Sequence, residues 1–564
     1  MSLTHPLRSL LRTPVFAIAA ALTLALGIGS VASAFAIVYG VLLDPLPFGK
    51  PDRLVSVGLG SAELRRIQQP PGVYLTYKRF ARRIEDIGFY RTGNANIAAT
   101  GAVTDPMRVT ATWVTASTIP LLQVKPLLGR TFSAEEDRNG APDVAVISES
   151  VWRTYFGASP GVIGKTLIVN SVPRQIVGVM PGRFIFPAAD TKLWLPARVD
   201  RDETSMGDFA YWGVARLAEG ADAPAAQREL ASLLPRLVEN FPRLGTGGST
   251  TSWLDQVRPA PVVVPLRDEV TYGIARTLWL LAAAAGLVLF VALANVANLM
   301  LIRADARQLE LAVRAALGAS RLRLVSHFLG ESLVLATVAA GAALLASWAA
   351  LRALVSFGPA DLPRLAELHV GIETVAFVLV VSIVAAIVCT VVPTLRILST
   401  SLSINLRDGG RGETAGRARQ RIRSTIAASQ LAVAFAVVAG SALLLRTFER
   451  LNQERPGFDA TNVVTIWTQL PFARYGDSAA VAFYARLTES VAALPGVVAA
   501  GVTTRLPLGE GEARQLSFTR DDGRTTLLDG VTIGGDYLAG MTMPLIAGRS
   551  FQPLGLQRSD EIIL

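Results

Sequence analysis

The sequence predicts a polytopic α-helical membrane protein with mixed α/β domains outside the membrane. Of its 564 residues, 51% are hydrophobic. Five charge-free apolar runs are each about 20 residues or longer, which is the length a helix needs to cross a bilayer. Two long polar stretches, with strand and helix patterns, follow the first and the fifth run. We therefore expect two extramembrane regions joined by membrane helices.

The spans follow from these apolar runs, because buried helices of globular cores are usually shorter. A cleaved signal peptide is the alternative for the first run, since Ser33-Ala34-Phe35-Ala36 offers small residues. The apolar stretch continues to Leu43, which is too long for a signal sequence. The charge-free runs are 14–43, 277–302, 332–351, 374–395 and 424–445, and the third predicted span, 325–351, extends its run toward the N-terminus.

Arginine in the short loops predicts the orientation, because such loops stay in the cytoplasm. The loop between the third and fourth spans has only Arg364. The N-terminus 1–13, the loop 303–324 and the linker 396–423 are arginine-rich and are predicted to be cytoplasmic. Residues 44–275 and 447–564 then lie outside. The arginines concerned are Arg8 and Arg12; Arg303, Arg307, Arg314, Arg321 and Arg323; Arg396, Arg407, Arg411, Arg417, Arg419, Arg421 and Arg423.

Composition excludes several classes of function. The net charge is +10, but the arginines lie beside apolar runs, which indicates membrane topology and not a nucleic-acid partner. Cys389 is the single cysteine, so no intramolecular disulfide or thiolate metal cluster is expected. With three histidines and no set of nucleophile, base and orienting group, we predict no catalytic residue, no cofactor and no metal site.

The stretch GASPGVIGKT (157–166) comes within one residue of the phosphate-binding pattern G-x-x-x-x-G-K-[ST]. Ser159 stands where the first glycine belongs, and the predicted topology puts the stretch on the outer side of the membrane. We therefore interpret it as a turn at Pro160-Gly161. The strands TLIVN (166–170) and RQIVGVM (174–180) are predicted to pair across a second turn at Ser171–Pro173.

Three further patterns describe the first extramembrane region. VYLTYKRFARRIEDI (73–87) has apolar residues at helical spacing, which predicts one helix with its stripe in the core. VAVIS (144–148) predicts a short buried strand. GTGGSTTS (245–252) predicts a flexible linker before the second span. The predicted helical stripe consists of Tyr74, Tyr77, Phe80, Ile84 and Ile87.

The chain contains an internal repeat. LLQVKPLLGRTF (121–132) returns as GMTMPLIAGRSF (540–551), with Gly129-Arg130 and Gly548-Arg549 419 residues apart. A span precedes each copy. We expect one span, one external domain and three spans, followed by the same unit again. On this interpretation the second external domain is incomplete, and its remainder and three more spans are missing.

The loop after the second span carries the strongest functional pattern. NVANLMLIRADARQLELAVRAALGASRLRLVSHFLGESLVLA (295–336) predicts a short amphipathic helix in which Glu310 and Arg314 pair at i,i+4 and which ends at Gly318. The residues alone leave two interpretations open, a helix on the membrane surface and a docking surface for a cytoplasmic protein. Glu331 and His327 follow at i,i+4; we expect a structural role, with both side chains snorkelling to the cytoplasmic surface.

These residues resemble a known family. ANVANLMLIRADARQLELAVRAALGASRLRL (294–324) is similar to the FtsX-like permease segment of MacB-type ABC transporters. LTLALGIGSVASAFAIVYGVLLDPLPFGKPDRLV (22–55) and GVIGKTLIVNSVPRQIVGVMPGRFIFP (161–187) resemble the first helix and the core domain of that family. ADLPRL (360–365) and the segment 428–465 resemble the duplicated subgroup called acidobacterial duplicated orphan permeases.

The resemblance implies a permease subunit in the bacterial inner membrane, with MacB-type core domains outside and no ATPase motif of its own. A separate ABC ATPase would dock in trans on a coupling loop formed by Arg307, Glu310, Arg314, Gly318 and Arg321. ATP hydrolysis would then move the external domain, for export. The lipid bilayer and an envelope or periplasmic protein are the other expected partners. The alternative is an uncoupled membrane scaffold or signalling protein that binds envelope partners through its external domain.

Overall fold

A computed structural model describes residues 13–60, 68–99, 107–199, 206, 209–243, 249–306, 321–358, 364–399, 413–454, 456–468, 470, 475–509, 514–519 and 525–547. The chain divides into two compact units. The helical unit comprises Met1–Asp44 and Val270–Glu454, and the α/β unit comprises Pro45–Glu269 and Arg455–Leu564.

The helices are numbered along the chain. They are α1 (Pro14–Val38), α2 (Pro71–Phe80), α3 (Thr118–Leu121), α4 (Glu149–Phe156), α5 (Ala223–Leu233), α6 (Arg236–Asn240), α7 (Thr250–Val257), α8 (Leu266–Thr271), α9 (Ala275–Ala306), α10 (Arg321–Phe357), α11 (Ile372–Ser399), α12 (Glu413–Gln453), α13 (Asp477–Ala492) and α14 (Tyr537–Gly540).

The strands are numbered in the same way. They are β1 (Leu54–Gly60), β2 (Ile84–Ala99), β3 (Met107–Val114), β4 (Leu128–Gly129), β5 (Val144–Ser148), β6 (Thr166–Val169), β7 (Val172–Met180), β8 (Thr191–Pro196), β9 (Trp212–Leu217), β10 (Ala260–Pro265), β11 (Gly501–Thr503), β12 (Arg514–Thr519), β13 (Thr525–Gly530) and β14 (Ile533–Gly535).

Among the described residues, five helices of the helical unit are long and apolar enough to cross a membrane. Each overlaps one predicted span, so the predicted polytopic α-helical class is confirmed. Helix α1 continues through a π-helical turn, Tyr39–Leu43, and packs against α9, α10 and α11. The candidate spans cover Pro14–Leu43, Ala275–Ala304, Phe328–Phe357, Ile372–Val391 and Ala427–Leu451.

Small residues of α1 set its distance from its neighbours. A Cβ atom added at Gly27 would lie 2.6 Å from the Ala292 Cβ atom on α9. The Ser33 hydroxyl donates to the Gly29 carbonyl at 2.8 Å and lies 3.1 Å from the Ser347 hydroxyl on α10. Small side chains let helix backbones approach closely where apolar lipid supplies no hydrophobic drive.

The α/β unit is built on a ten-stranded mixed sheet in the order β10-β1-β9-β2-β3-β8-β5-β7-β4, and β6 pairs with β2 and β7. The β3–β8 and β5–β7 pairs are parallel. All seven residues of β1 are buried between β10 and β9. Helices α2, α5 and α6 cover the same end of the sheet through one apolar core. The predicted mixed α/β class is therefore confirmed.

The predicted helix over 73–87 is wrong in its second half. Helix α2 ends at Phe80, and Ile84 and Ile87 lie on β2, paired with Leu217 and Ala215 of β9. The ladder with β9 satisfies the backbone groups of 84–87, so the sheet overrides the local helical spacing. Tyr77 is buried on α2 as the stripe predicts.

The strand predictions of the false phosphate loop are confirmed, with one correction. Strands β6 and β7 pair antiparallel, and β5 matches VAVIS. The turn lies at Asn170-Ser171, whose φ angles are 48° and 66°, and not at Ser171–Pro173. Val172 and Pro173 already belong to the ladder. A strand and not a helix follows Lys165, whereas a phosphate loop leads into a helix N-terminus.

The predicted linker 245–252 is wrong at its C-terminal end. Residues 244–248 lie outside the described part of the chain, but Ser249 caps α7, because its hydroxyl accepts from the Ser252 amide. Strand β10 and helix α8 then follow, so this segment does not lead directly into the second span.

The repeat extends to local structure. Helix α3 (Thr118–Leu121) has its counterpart 419 residues later in α14 (Tyr537–Gly540). Gln123 and Thr542 follow at the same offset, and both adopt the left-handed region, with φ angles of 58° and 54°. Residues other than glycine rarely adopt this region. The agreement therefore supports the same backbone course in both copies.

Candidate functional site

The coupling-loop residues proposed from the sequence are only flanked by described structure. Arg307, Glu310, Arg314 and Gly318 lie outside the described residues, and the amphipathic helix remains a prediction. Arg321 is the first residue of α10, and α9 ends at Ala306. The loop therefore joins two long helices, and the contacts between those helices define how it is held.

One buried ion pair joins the two helices next to this loop. Arg303, in the last turn of α9, lies 3.7 Å (Nε to Oε2) from Glu331 on α10. Their side chains are 8% and 0% exposed. The Arg303 guanidinium also lies over the Phe16 ring of α1, 4.5 Å from its centroid. This contact, which we call the loop-side ion pair, thus links α1, α9 and α10.

Burial explains why both charges are present. A single charge buried among helices is costly, whereas an opposite charge and a ring face offset that cost. The expectation that Glu331 snorkels to the surface is wrong, because its side chain is fully buried. The sequence contained a signal: an arginine ends one span and a glutamate begins the next, and antiparallel packing of the two helices brings such residues together.

A second charged contact lies beyond the other end of α10. Arg364 has a left-handed backbone (φ 61°), and its side chain is 4% exposed. Nη1 donates to the Asp44 carbonyl at 2.7 Å, and Nη2 donates to Asp44 Oδ2 at 3.1 Å. Nε donates to Glu367 Oε2 at 2.8 Å. We call this contact the exit clamp, because Asp44 directly follows the last turn of α1.

The exit clamp was missed from the sequence, where Arg364 counted only as a topology signal. Its partners are 320 positions apart in the chain, and the αL backbone that aims the side chain has no pattern in the residues around it. The clamp ties the connection between α10 and α11 to the end of α1.

Within the α/β unit, Arg216 holds the segment that follows α1 in the chain. Its buried guanidinium donates to the carbonyls of Leu121 (2.8 Å), Gly49 (2.6 Å) and Lys50 (3.1 Å). Burial is the main cause that lowers the pKa of Arg216, and the charge of Arg53 lowers it further. An arginine nevertheless stays protonated, so it acts as a fixed multiple donor that anchors residues 49–50 to the sheet.

One cavity of the α/β unit has a volume of about 250 Å³. Lys78 and Asp86 form an ion pair in its wall. Burial raises the pKa of the Tyr77 hydroxyl, which has no hydrogen-bond partner among the described residues. An ordered water is the ordinary partner of such a group. Across the described ranges, no group of three or more His, Cys, Asp or Glu side chains is arranged to hold a metal ion. The cavity is lined by Tyr77, Lys78, Ala81, Ile84, Glu85, Asp86 and Ile87.

The fold and these contacts define a multi-pass membrane protein with an α/β domain inserted between its first and second spans. Comparisons with known proteins match both parts. Residues 17–233 match the family model described as MacB-like periplasmic core domain. Residues 282–402 match the model described as FtsX-like permease C-terminal.

Curated relatives agree with these family matches. The macrolide export ATP-binding/permease protein MacB of Nitrosomonas europaea is 28% identical over 220 residues, which are 38% of this chain and 30% of that protein. MacB of Burkholderia pseudomallei (strain 1710b) is 27% identical over 206 residues, 36% of this chain and 29% of that protein. The chain thus spans about 30% of the length of these relatives.

A solved structure of the periplasmic region of MacB from Actinobacillus actinomycetemcomitans is 14% identical, and the match covers 40% of this chain and 94% of that one, with a TM-score of 0.29. That score is too low to support a statement about the whole chain. The two family models carry the assignment: the chain is a MacB/FtsX-like permease.

Proposed function

We propose that this chain is the permease subunit of a MacB-type ABC transporter, and that it couples ATP hydrolysis in a separate cytoplasmic ATPase to movement of its periplasmic domain, for export. The observation that carries the proposal is the loop-side ion pair. It lies in the segment that matches the FtsX-like permease model, and it joins the helices on both sides of the proposed coupling loop.

The buried pair makes the helices respond together. A force on the loop 307–320 would act on the ends of α9 and α10, which Arg303 and Glu331 hold in contact. Phe16 adds the first turn of α1 to the same assembly. The chain of α1 continues through Asp44 into the α/β unit, so displacement of the helices would pull on the segment that Arg216 anchors.

We further propose the orientation predicted from arginine, with residues 1–13 and the loop 303–324 in the cytoplasm and the α/β unit in the periplasm. The proposal also includes the duplicated subgroup. The repeat at 419 residues, with α3 and α14 at matching positions, supports two copies of the unit in one chain.

Coupling is tested by reversing the charges of the loop pair, Glu310→Arg with Arg314→Glu. The full-length protein in nanodiscs is titrated with each ABC ATPase of its host, and ATPase binding and stimulation of ATP hydrolysis are measured. We expect the wild type to bind one of them and the reversed loop to bind it at least about tenfold more weakly. A matched control reverses Glu149 and Arg153, an i,i+4 pair with a 2.6 Å contact on α4.

The control should leave ATPase binding unchanged. If no host ATPase binds, or if the reversed loop binds as well as the wild type, the coupling proposal is wrong and the scaffold alternative is favoured.

Orientation is tested separately with single cysteines at Lys165 and Arg314 in a Cys389→Ala background. A membrane-impermeant thiol reagent should label position 165 in intact cells and position 314 only after lysis; the reverse result would invert the topology.

A further inference from the structure

The α/β unit carries five exposed arginines that form no ion pair with any residue that the structure describes. They lie on the last turn of α2, the turn after it, and the neighbouring helices α5 and α6. We call this cluster the arginine surface, and it consists of Arg79, Arg82, Arg83, Arg228 and Arg236.

An aromatic ring organises part of this surface. The half-buried Phe80 ring has the Arg79 guanidinium 5.2 Å and the Arg236 guanidinium 4.4 Å from its centroid. A cation near a ring face is attracted by the ring and loses little of its solvation at the surface. The ring therefore limits the freedom of two long side chains before any partner binds, and this lowers the entropy cost of binding.

The backbone beneath the surface is fixed by a carboxylate. Glu229 of α5 accepts the Arg82 amide at 3.0 Å and the Arg83 amide at 2.8 Å. Its two carboxylate oxygens are thus hydrogen-bonded to the main chain, and among the described residues it forms no ion pair with an arginine side chain. The turn 81–83 consequently presents its two guanidiniums from a rigid base.

The five guanidiniums form no ion pair with a carboxylate in the described part of the chain, whereas Arg53, Arg130 and Arg153 all do. The dipole of α2 stabilises the unpaired charge of Arg79, because Arg79 stands in the last turn of that helix. That effect acts only within the last turn, so it does not account for the other four. An unpaired cluster of like charge is costly to the fold, and a partner would offset that cost.

We propose that the arginine surface docks a protein partner through an aspartate- and glutamate-rich face of that partner. Guanidiniums bind carboxylates with two parallel hydrogen bonds, and arginine with aromatic residues is the composition of energetically dominant interface residues. A phosphate headgroup would need several donors converging on one anion. Here the arginines stand on three helices and the turn after one of them, and only Arg79 and Arg236 share a ring, which suits a broad acidic surface.

The partner is periplasmic if the orientation proposed above holds. The arginine surface lies outside the segment that couples to the ATPase, so the two proposals fail independently: loss of ATPase binding leaves this surface intact, and loss of this surface leaves ATPase binding intact.

The first test uses the full-length protein in nanodiscs of neutral lipid and a fluorescent 20-residue polyglutamate peptide as the probe. The variant R79Q/R82Q/R236Q should bind the peptide at least about tenfold more weakly than wild type at low salt. The control R138Q/R183Q/R258Q removes three exposed arginine charges from other elements of the same unit and should change binding less than about twofold. Equal losses in both variants would mean that total charge and not this surface is responsible, and would overturn the proposal.

A second measurement distinguishes protein from lipid. Benzoylphenylalanine at position 82 is cross-linked in intact cells, and vesicles containing phosphatidylglycerol are titrated with the same variants. We expect a protein adduct whose cross-linked peptide is rich in Asp and Glu, and its loss in R79Q/R236Q. The variant R79K/R236K, which keeps the charge but not the fork, should recover part of the adduct and guards against misfolding. Absence of a protein adduct, or weaker vesicle binding with unchanged peptide binding, would overturn the proposal.

Discussion

The loop-side ion pair and the exit clamp hold opposite ends of α10 by different chemistry. In the first, Arg303 and Glu331 are both buried and Arg303 lies over the Phe16 ring, so opening of the contact would leave each charge buried apart from the other. In the second, the buried Arg364 reaches Asp44, whose side chain is 45% exposed. Water can replace the clamp's hydrogen bonds at Asp44. The comparison indicates that the loop-side ion pair keeps its helices joined, whereas the exit clamp is the contact that can open to water.

The largest effect is expected from Glu331→Ala. The substitution removes the Glu331 charge from beside the buried Arg303, and loss of one member of a buried ion pair costs about 3–5 kcal/mol. The free energy of unfolding in mixed micelles measures this loss. The double variant Arg303→Met with Glu331→Leu removes both charges and should recover most of it. If the single variant lowers the free energy of unfolding by less than about 1 kcal/mol, the loop-side ion pair does not hold the helices together.

Gly27→Val should disturb the packing between the two charged ends. The added side chain would meet Ala292, whose Cβ lies 2.6 Å from the position of a new Cβ atom, and overpacking of this kind costs about 1–3 kcal/mol. Gly440→Val on α12 is the matched control, because no described atom lies within 4 Å of its Cβ position. Equal unfolding free energies for the two variants would show that α1 is not closely packed.

Arg364→Gly removes the exit clamp but keeps a residue suited to the φ angle of 61°. We expect a cost of about 1.5 kcal/mol, at the low end for hydrogen bonds to charged groups, because water can serve Asp44. Amide hydrogen exchange should quicken at residues 39–44 and stay unchanged around Glu331. Faster exchange both at residues 39–44 and around Glu331 would contradict the distinction between a contact that stays closed and one that can open.

The smallest effect is expected from Ser347→Ala, which removes a hydroxyl that lies 3.2 Å from the Gly29 carbonyl. Hydrogen bonds between membrane helices contribute about 0.6 kcal/mol on average. The same unfolding measurement tests this. A cost above about 2 kcal/mol would mean that Ser347, and not the loop-side ion pair or the exit clamp, is the main contact that holds α1.

Local patterns predicted the parts of the fold that depend on local chemistry. Apolar length predicted the five spans, and β-branched residues predicted β5. Pro160 and Gly161 predicted the turn between α4 and β6. The helix–strand boundary after Phe80 was missed, because the stripe Tyr77–Ile84–Ile87 satisfies helical spacing while the ladder to β9 decides the backbone. For the candidate site, the sequence predicted the coupling loop, of which residues 307–320 lie outside the described residues, and missed both flanking contacts.

The sequence by itself determined that this chain has membrane helices, an α/β region and a repeat, because apolar length, alternation and self-similarity are properties of a linear string. Only the tertiary structure decided which distant groups meet. Arg364 and Asp44 are 320 positions apart, and the packing of α9 against α10 brings Arg303 within 3.7 Å of the buried Glu331. Such contacts depend on the direction of side chains between packed helices, and residue order does not encode that direction locally.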